Sequence, residues 1–450
     1  MLVESLSYKS KYHVEAIDVK KELKKHMLAD GFDFVLDLYS SQGSQLRESV
    51  HGKSYLDMFT CYASMPIGMN HPKMVDPKFV EYIGKVALNK PANSDIYTSE
   101  LATFVKTFFE IAVPKHFKYC FFIEGGALAV ENALKAAFDY KIRRNFRKGY
   151  TTERGTQILH FNEAFHGRTG YTMSLTNTDP KKVKLFPKFN WSRVLNPKIT
   201  FPLNDENLEK VIAAEKIAIE AIKNAYKDNP DDIAGILIEP IQGEGGDNHF
   251  RNEFLQQLKE IAHENDSLLI FDEVQTGVGL TGTMWAHEQM GVEPDILAFG
   301  KKMQVCGILV GDKIDQEPEN VFKVSSRINS TWGGNLVDMV RVTKYLEIIE
   351  EEKLVENAKI VGSYLGERLH ELQSEFNELL YNARGRGLFR AIDFTDVAKR
   401  DAFVKSAFKN NLIILPSGAN AIRFRPALNI SRAEIDKGIE IITKSIKEVI

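Results

Sequence analysis

The sequence has 450 residues, room for two or three packed domains rather than one simple core. Its 44% hydrophobic and 26% charged residues are ordinary for a water-soluble globular protein. With 58 Lys and Arg against 61 Asp and Glu, the net charge of −3 gives no electrostatic reason to expect nucleic acid or an anionic membrane as partner. No stretch comes near the roughly 18 uninterrupted apolar residues of a spanning helix, and Met1–Leu6 lacks the basic segment and apolar run of a secretory signal. Cys61, Cys120 and Cys306 stand too far apart for a disulfide framework or a zinc site. Buried thiols in a reducing, cytoplasmic compartment are expected, and no metal.

Taken in chain order, Val14, Ile17, Met27 and Leu28 lie among Lys and Glu ahead of Asp30-Gly31, which predicts a leading amphipathic helix over His13–Leu28. Strands are predicted at Phe32–Tyr39 and Ser54–Phe59, with a polar loop at Ser40–Glu48 between them. The middle of the chain alternates. Short apolar runs at Tyr119–Ile123, Gln157–Phe161, Ile233–Glu239, Ser267–Asp272 and Asp295–Phe299 are mostly separated by helix-compatible segments such as Ala127–Tyr140. Such alternation points to a mostly parallel sheet with helices on both faces. In open sheets of that kind a ligand lies beyond the carboxyl ends of the strands. After Tyr345 the texture changes to a long charged helix (Tyr345–Leu372) and short strands around Gly387–Phe394, Leu412–Leu415 and Ile422–Phe424. Ser431-Arg432-Ala433-Glu434 forms a capping box before a closing helix. The expected organisation is an N-terminal segment (1–75) that joins a small C-terminal α+β domain (345–450), flanking a large domain (76–344).

Several strand ends offer chemistry. Leu268–Phe271 delivers Asp272 to a carboxyl end, and a later strand ends in Phe299-Gly300-Lys301. Gly125-Gly126-Ala127 lies between a strand and a helix, where free N–H groups and the helix dipole favour a phosphate. Phe165-His166-Gly167-Arg168 follows the strand Ile158–Phe161 and offers an aromatic face and a guanidinium. Taken singly these are weak signals, because an acid at a strand end is more often a cap and a phenylalanine more often core. Together they match what pyridoxal phosphate asks of a protein. That cofactor needs a lysine amine, a carboxylate for its pyridine nitrogen, a flat partner for its ring, backbone donors for its phosphate, and a cation for the substrate carboxylate.

Four motifs sharpen the match: Phe165-His166-Gly167-Arg168, Phe271-Asp272-Glu273-Val274-Gln275-Thr276-Gly277, Pro294-Asp295-Ile296 through Gly300-Lys301, and Ser330-Thr331-Trp332-Gly333-Gly334-Asn335. In this order they resemble the signature of the class III aminotransferases, and the similarity runs from Tyr55-Leu56-Asp57 to Arg423-Phe424-Arg425-Pro426. The resemblance implies fold-type I architecture: an α/β core with a mostly parallel seven-stranded sheet sandwiched by helices, plus a small α+β domain. It implies pyridoxal phosphate bound as a Schiff base to Lys301, which also shuttles the proton. Lys302, the neighbouring rival, is expected to point elsewhere. Asp272 is implied at the pyridine nitrogen, Gln275 at the ring oxygen, Phe165 against the ring, and Gly126 and Ala127 at the phosphate. Thr331 is implied to reach the phosphate from a second subunit, which requires a homodimer with its active site at the interface.

The chain departs from the broad class pattern. Glu124-Gly125-Gly126-Ala127-Leu128 lacks the hydroxyl usual in the phosphate loop, Leu280 stands where arginine is usual, and Lys302–Gly307 replaces a glycine-rich run. With Glu239–Gly246 and Asn329–Trp332, these departures resemble the branch of the class that moves the ε-amino group of L-lysine to 2-oxoglutarate. That branch implies Arg168 on the distal carboxylate, Arg423 on the α-carboxylate of glutamate, and Asn329 at the α-amino end of lysine. Glu244 would neutralise Arg423 while lysine is bound. The rivals are another ω-aminotransferase, acting on ornithine, 4-aminobutyrate or a diamine, a pyridoxal-phosphate mutase, or a non-catalytic descendant. The complete set Asp272, Gln275, Lys301 and Thr331 argues against the last. A nicotinamide enzyme is disfavoured, because no Gly-x-Gly-x-x-Gly follows an early strand.

Overall fold

Seven short strands form the central sheet of the computed structural model, which describes residues 8–450; the reading of Met1–Leu6 lies outside them. In chain order they are β1 (Phe117–Ile123), β2 (Gln157–Phe161), β3 (Arg193–Val194), β4 (Ile233–Ile238), β5 (Leu268–Asp272), β6 (Ile296–Phe299) and β7 (Cys306–Gly311). Their spatial order is β1-β7-β6-β5-β4-β2-β3. Only β7 runs antiparallel to its neighbours β6 and β1, while β6, β5, β4, β2 and β3 pair in parallel. The class-implied sheet is therefore present.

Successive residues of these strands point to opposite faces, and each face has its own core. Leu237, Ile270, Ala298 and Ile308 pack with Val130, Ala133, Ala137 and Tyr140 of the helix Gly126–Arg147. Ile236, Leu269, Leu297 and Leu309 face the other way, onto Phe104, Phe108, Phe254 and Leu258. Burial on both faces is why β4, β5 and β6 read as continuous apolar runs rather than alternations. Strand β7 is not apparent from the sequence, because it follows β6 after a short turn and is interrupted by Gly307. A Cβ at that glycine would lie 2.2 Å from the carbonyl oxygen of Phe121, so only glycine lets β7 approach β1.

Two smaller sheets flank this core. Leu36–Gln42, Gln45–Glu48 and Ser54–Asp57 form an antiparallel ribbon, whose last strand pairs in parallel with Leu412–Ile413. Leu380–Arg386, Phe389–Phe394, Ala421–Phe424 and Leu415–Ser417 form the other. The capping box at Ser431 and Glu434 is present and opens the helix Arg432–Lys447.

Four expectations need correction. The leading helix shrinks to Val19–Leu23 after a 3-10 turn, and Ile17, Leu23, Met27 and Leu28 are exposed. The predicted loop at Ser40–Glu48 contains the strand Gln45–Glu48, entered through Gly43 at φ +54°. The helix Tyr345–Leu372 is really two, Leu336–Glu351 and Leu354–Glu375, broken where Lys353 turns left-handed at φ +52°. Buried residues continue on both sides of that break (Ile348, Ile349, Leu354, Ala358), so the apolar pattern did not reveal it. Finally, Cys61 is exposed rather than buried.

Candidate active site

The carboxyl ends of β1, β2, β4, β5 and β6 bring the predicted groups together. After β1, Gly125 at φ +101° turns the chain into the 22-residue helix Gly126–Arg147. That helix start has no side-chain cap, so the amides of Gly126, Ala127 and Leu128 remain available, at the positive end of the helix dipole. A Cβ built on Gly125 would meet nothing within 4 Å, so the turn itself borders open space. The loop after β2 presses against this turn: a Cβ on Gly167 would sit 2.4 Å from the Ala127 Cβ.

Asp272 ends β5 and is buried. Its Oδ2 lies 2.8 Å from Nδ1 of buried His166, and its Oδ1 accepts from the Val274 amide at 3.1 Å. Glu239, the residue after β4, joins the neighbouring loops. Its two carboxylate oxygens accept from the amides of Phe165 (2.9 Å) and Gly243 (3.0 Å). Burial, reinforced by the negative charge of Asp272 and opposed by His166, pushes its carboxyl up to about 7.

Lys301 follows β6 and Gly300 in a left-handed backbone conformation (φ +50°) that costs a non-glycine residue about 1–2 kcal/mol. Gln304 holds it there. The Gln304 amide donates to the Lys301 carbonyl at 2.7 Å, and its side chain ties the Ser64 carbonyl at 2.6 Å. The Lys301 ammonium has no hydrogen-bond partner among the described residues. Burial, then the nearby Arg423 cation, lower its pKa to about 8 against the opposing pull of Asp272 and Glu239. Lys302 turns away into the core and donates to the carbonyls of Gln275 (3.0 Å) and Ala63 (3.3 Å).

Gln275 offers an amide donor, because its Oε1 already accepts from Arg425 at 3.0 and 3.2 Å. Arg425 in turn forms a two-pronged pair with buried Asp247 at 2.6 and 2.9 Å, and its guanidinium lies 3.4 Å from the Phe389 ring centroid.

Glu244 and Arg423 are paired, with Oε2 to Nη2 at 2.9 Å. The other carboxylate oxygen of Glu244 accepts from Lys182 at 2.6 Å. Burial alone would raise the Glu244 pKa, but Arg423 and Lys182 together hold it below the ordinary range. Phe165 is half-buried, with the Lys182 ammonium 5.4 Å from its ring centroid. Arg168 is exposed and has no ion pair among the described residues. Asn329 and Thr331 are exposed as well, on a loop that bonds to none of the groups above within one chain.

These groups fit pyridoxal phosphate. Uncapped amides are free to receive an anion, a buried carboxylate is fixed for a ring nitrogen, and the amine of half-buried Lys301 is left unpartnered among the described residues. His166, Glu239, Asp247 and Lys182 join the site without a role expected from the sequence. Glu239 had a usable signal, since like Asp272 it is an acid at a strand end. Lys182, on the turn Pro180–Lys182, had none.

The model of the family described as aminotransferase class-III matches residues 29–446. The L-lysine-epsilon aminotransferase of Mycobacterium tuberculosis is 50% identical over 432 residues, 96% of each chain. That of Streptomyces clavuligerus is 46% identical over 439 residues, 97% of this chain and 96% of the other. A solved structure described as lysine aminotransferase from M. tuberculosis in the internal aldimine form superposes with a TM-score of 0.95 at 48% identity, covering 97% of this chain and 100% of that one.

Proposed function

The chain belongs to the class-III aminotransferases, and from that premise we propose that it moves the ε-amino group of L-lysine to 2-oxoglutarate with pyridoxal phosphate as cofactor. The products are 2-aminoadipate 6-semialdehyde and L-glutamate, formed in two half-reactions that use one site in turn. Relatives described as L-lysine-epsilon aminotransferases at 46–50% identity support this reading. The observation that carries it is the Glu244 carboxylate lying on Arg423.

Lysine offers its ε-amine with its carboxylate several carbons away, whereas glutamate carries a carboxylate beside the reacting carbon. A fixed cation beside the reacting carbon would serve the second substrate and disfavour the first. With Glu244 on Arg423 that cation is neutralised, and exposed Arg168 is left to grip the lysine carboxylate, while Asn329 orients the α-amino end. For 2-oxoglutarate, Glu244 leaves Arg423, which then binds the α-carboxylate. Arg168 holds the distal one.

When bound, pyridoxal phosphate supplies an electron sink that lets a proton leave the carbon bearing the donor nitrogen. Lys301, whose amine is more readily neutral than an ordinary lysine's, takes that proton and returns it. Asp272, oriented by His166, favours a protonated ring nitrogen. Phe165 would lie against the ring, and the Gln275 amide would donate to its oxygen. The amides of Gly126 and Ala127 would hold the phosphate, joined by Thr331 of a second subunit in a homodimer.

Glu244→Ala tests the pairing. With Arg423 permanently free, the preference for the ε-amine of lysine over α-amino donors should fall by about tenfold or more, as expected for loss of a charged pair. Unchanged kinetics with every donor would contradict the assigned roles.

A further inference from the structure

Glu244 is bridged, not simply paired. One oxygen lies 2.9 Å from Arg423 and the other accepts from Lys182 at 2.6 Å. Lys182 is three-quarters buried at its side chain, as is Glu244, while Arg423 is 5% exposed. The lysine sits on a turn, N-capped by Asp179, separate from the elements that carry Glu244 and Arg423. Its ammonium also stands 5.4 Å from the centroid of the Phe165 ring. It is therefore close both to the anion that must move and to the ring proposed to face the cofactor.

A carboxylate that leaves Arg423 without a second partner would be stranded, partly buried, in the low-dielectric mouth of the site, and the cost of that charge would oppose opening. Lys182 removes that obstacle, because it already holds the other oxygen. We propose that Lys182 is a positioning residue for substrate exchange: it keeps Glu244 paired after that carboxylate leaves Arg423, and so sets the affinity of the site for dicarboxylates such as 2-oxoglutarate. This rests on the Glu244–Arg423 reading above.

The prediction separates the two half-reactions. Without Lys182, Glu244 keeps Arg423 as its remaining close partner and the site stays closed, which the lysine half-reaction tolerates and the dicarboxylate does not. Glutarate, a dicarboxylate that cannot accept an amino group, reports this by calorimetry on the holoenzyme without turnover.

Lys182→Met should weaken glutarate binding by about three- to tenfold, the range for a partly buried charge partner. The KM for 2-oxoglutarate should rise by a similar factor, while the single-turnover rate with lysine changes much less. Lys182→Arg should restore affinity. On a Glu244→Ala background, the Lys182→Met loss should largely vanish, since no carboxylate is left to hold. Glutarate affinity unchanged in Lys182→Met would overturn the proposal. So would a loss of equal size on the Glu244→Ala background, because Lys182 would then touch the dicarboxylate itself. If Glu244→Ala alone leaves donor preference unaltered, it is the Glu244–Arg423 reading that fails. A normal Glu244→Ala effect with a silent Lys182→Met sinks only the role of Lys182.

Discussion

Two adjacent lysines meet opposite fates because of one backbone turn. Gly300 is extended at φ 176°, Lys301 is left-handed, and Lys302 is carried back under the segment around Ala63. Lys302 spends its donors on two carbonyls, whereas Lys301 keeps an unpartnered amine. Lys301→Ala should therefore abolish the absorbance band of the lysine Schiff base, while Lys302→Met retains it and loses about 1–3 kcal/mol of stability for the stranded carbonyls. Absorbance spectra and thermal melts of both variants check this. The lowered Lys301 pKa carries a sign of its own. The neutral amine is the nucleophile and predominates above about 8, so cofactor uptake by the apo-protein should rise with pH and level off beyond that value. Stopped-flow absorbance between pH 6 and pH 10, chosen to bracket that value at roughly two units on either side, would show it. A midpoint near an ordinary lysine's would contradict the burial argument.

Elements fix the site by joining loops, and the joints were harder to read than the strands. Asp272 and Lys301 stand at the ends of the continuous apolar runs Leu268–Phe271 and Ile296–Phe299, so both were legible. Glu239 ties the Phe165 loop to Gly243, which precedes Glu244, through contacts that no local pattern encodes. The run Thr60–Ala63 is left-handed at four successive non-glycine positions, against the preference of Thr and Tyr. Asp57, Lys302, Gln304 and the Arg425 carbonyl hold it or the residue after it, and three of those four lie far off in sequence. The break at Lys353 was illegible for another reason: buried residues run on across it, from Ile348 and Ile349 to Leu354 and Ala358. Glu239 also makes a prediction. Its folded pKa of about 7 exceeds the ordinary 4.5, so the folded state holds the extra proton and stability from this group falls as pH rises between those values. Glu239→Gln should flatten that part of the stability profile, measured by urea unfolding. An unaltered slope would show that the carboxyl titrates normally.

At the scale of the whole molecule, a single chain leaves Thr331 and Asn329 exposed, beside an exposed Trp332 whose ring lies 3.8 Å from the Lys90 ammonium. Lys90 also pairs with Glu124, next to Gly125, so this loop borders the amides proposed for the phosphate. Ile96, Tyr97 and Leu128 add exposed apolar surface, of a kind that commonly marks an interface. If Thr331 acts across a homodimer, mixing Lys301→Ala with Thr331→Ala protomers should regenerate one intact site per hybrid, with native cofactor affinity. Hybrids that keep the weakened affinity of Thr331→Ala would place its action within one chain.

Every substrate contact assigned above presupposes attack at the ε-amine, and L-lysine labelled with heavy nitrogen only at that position tests it. The holoenzyme is incubated with the labelled lysine and 2-oxoglutarate, and the glutamate formed is weighed by mass spectrometry. Glutamate carrying the label is the predicted result. Unlabelled glutamate would mean that the α-amine reacts, and would contradict the parts given to Arg168, Glu244 and Arg423.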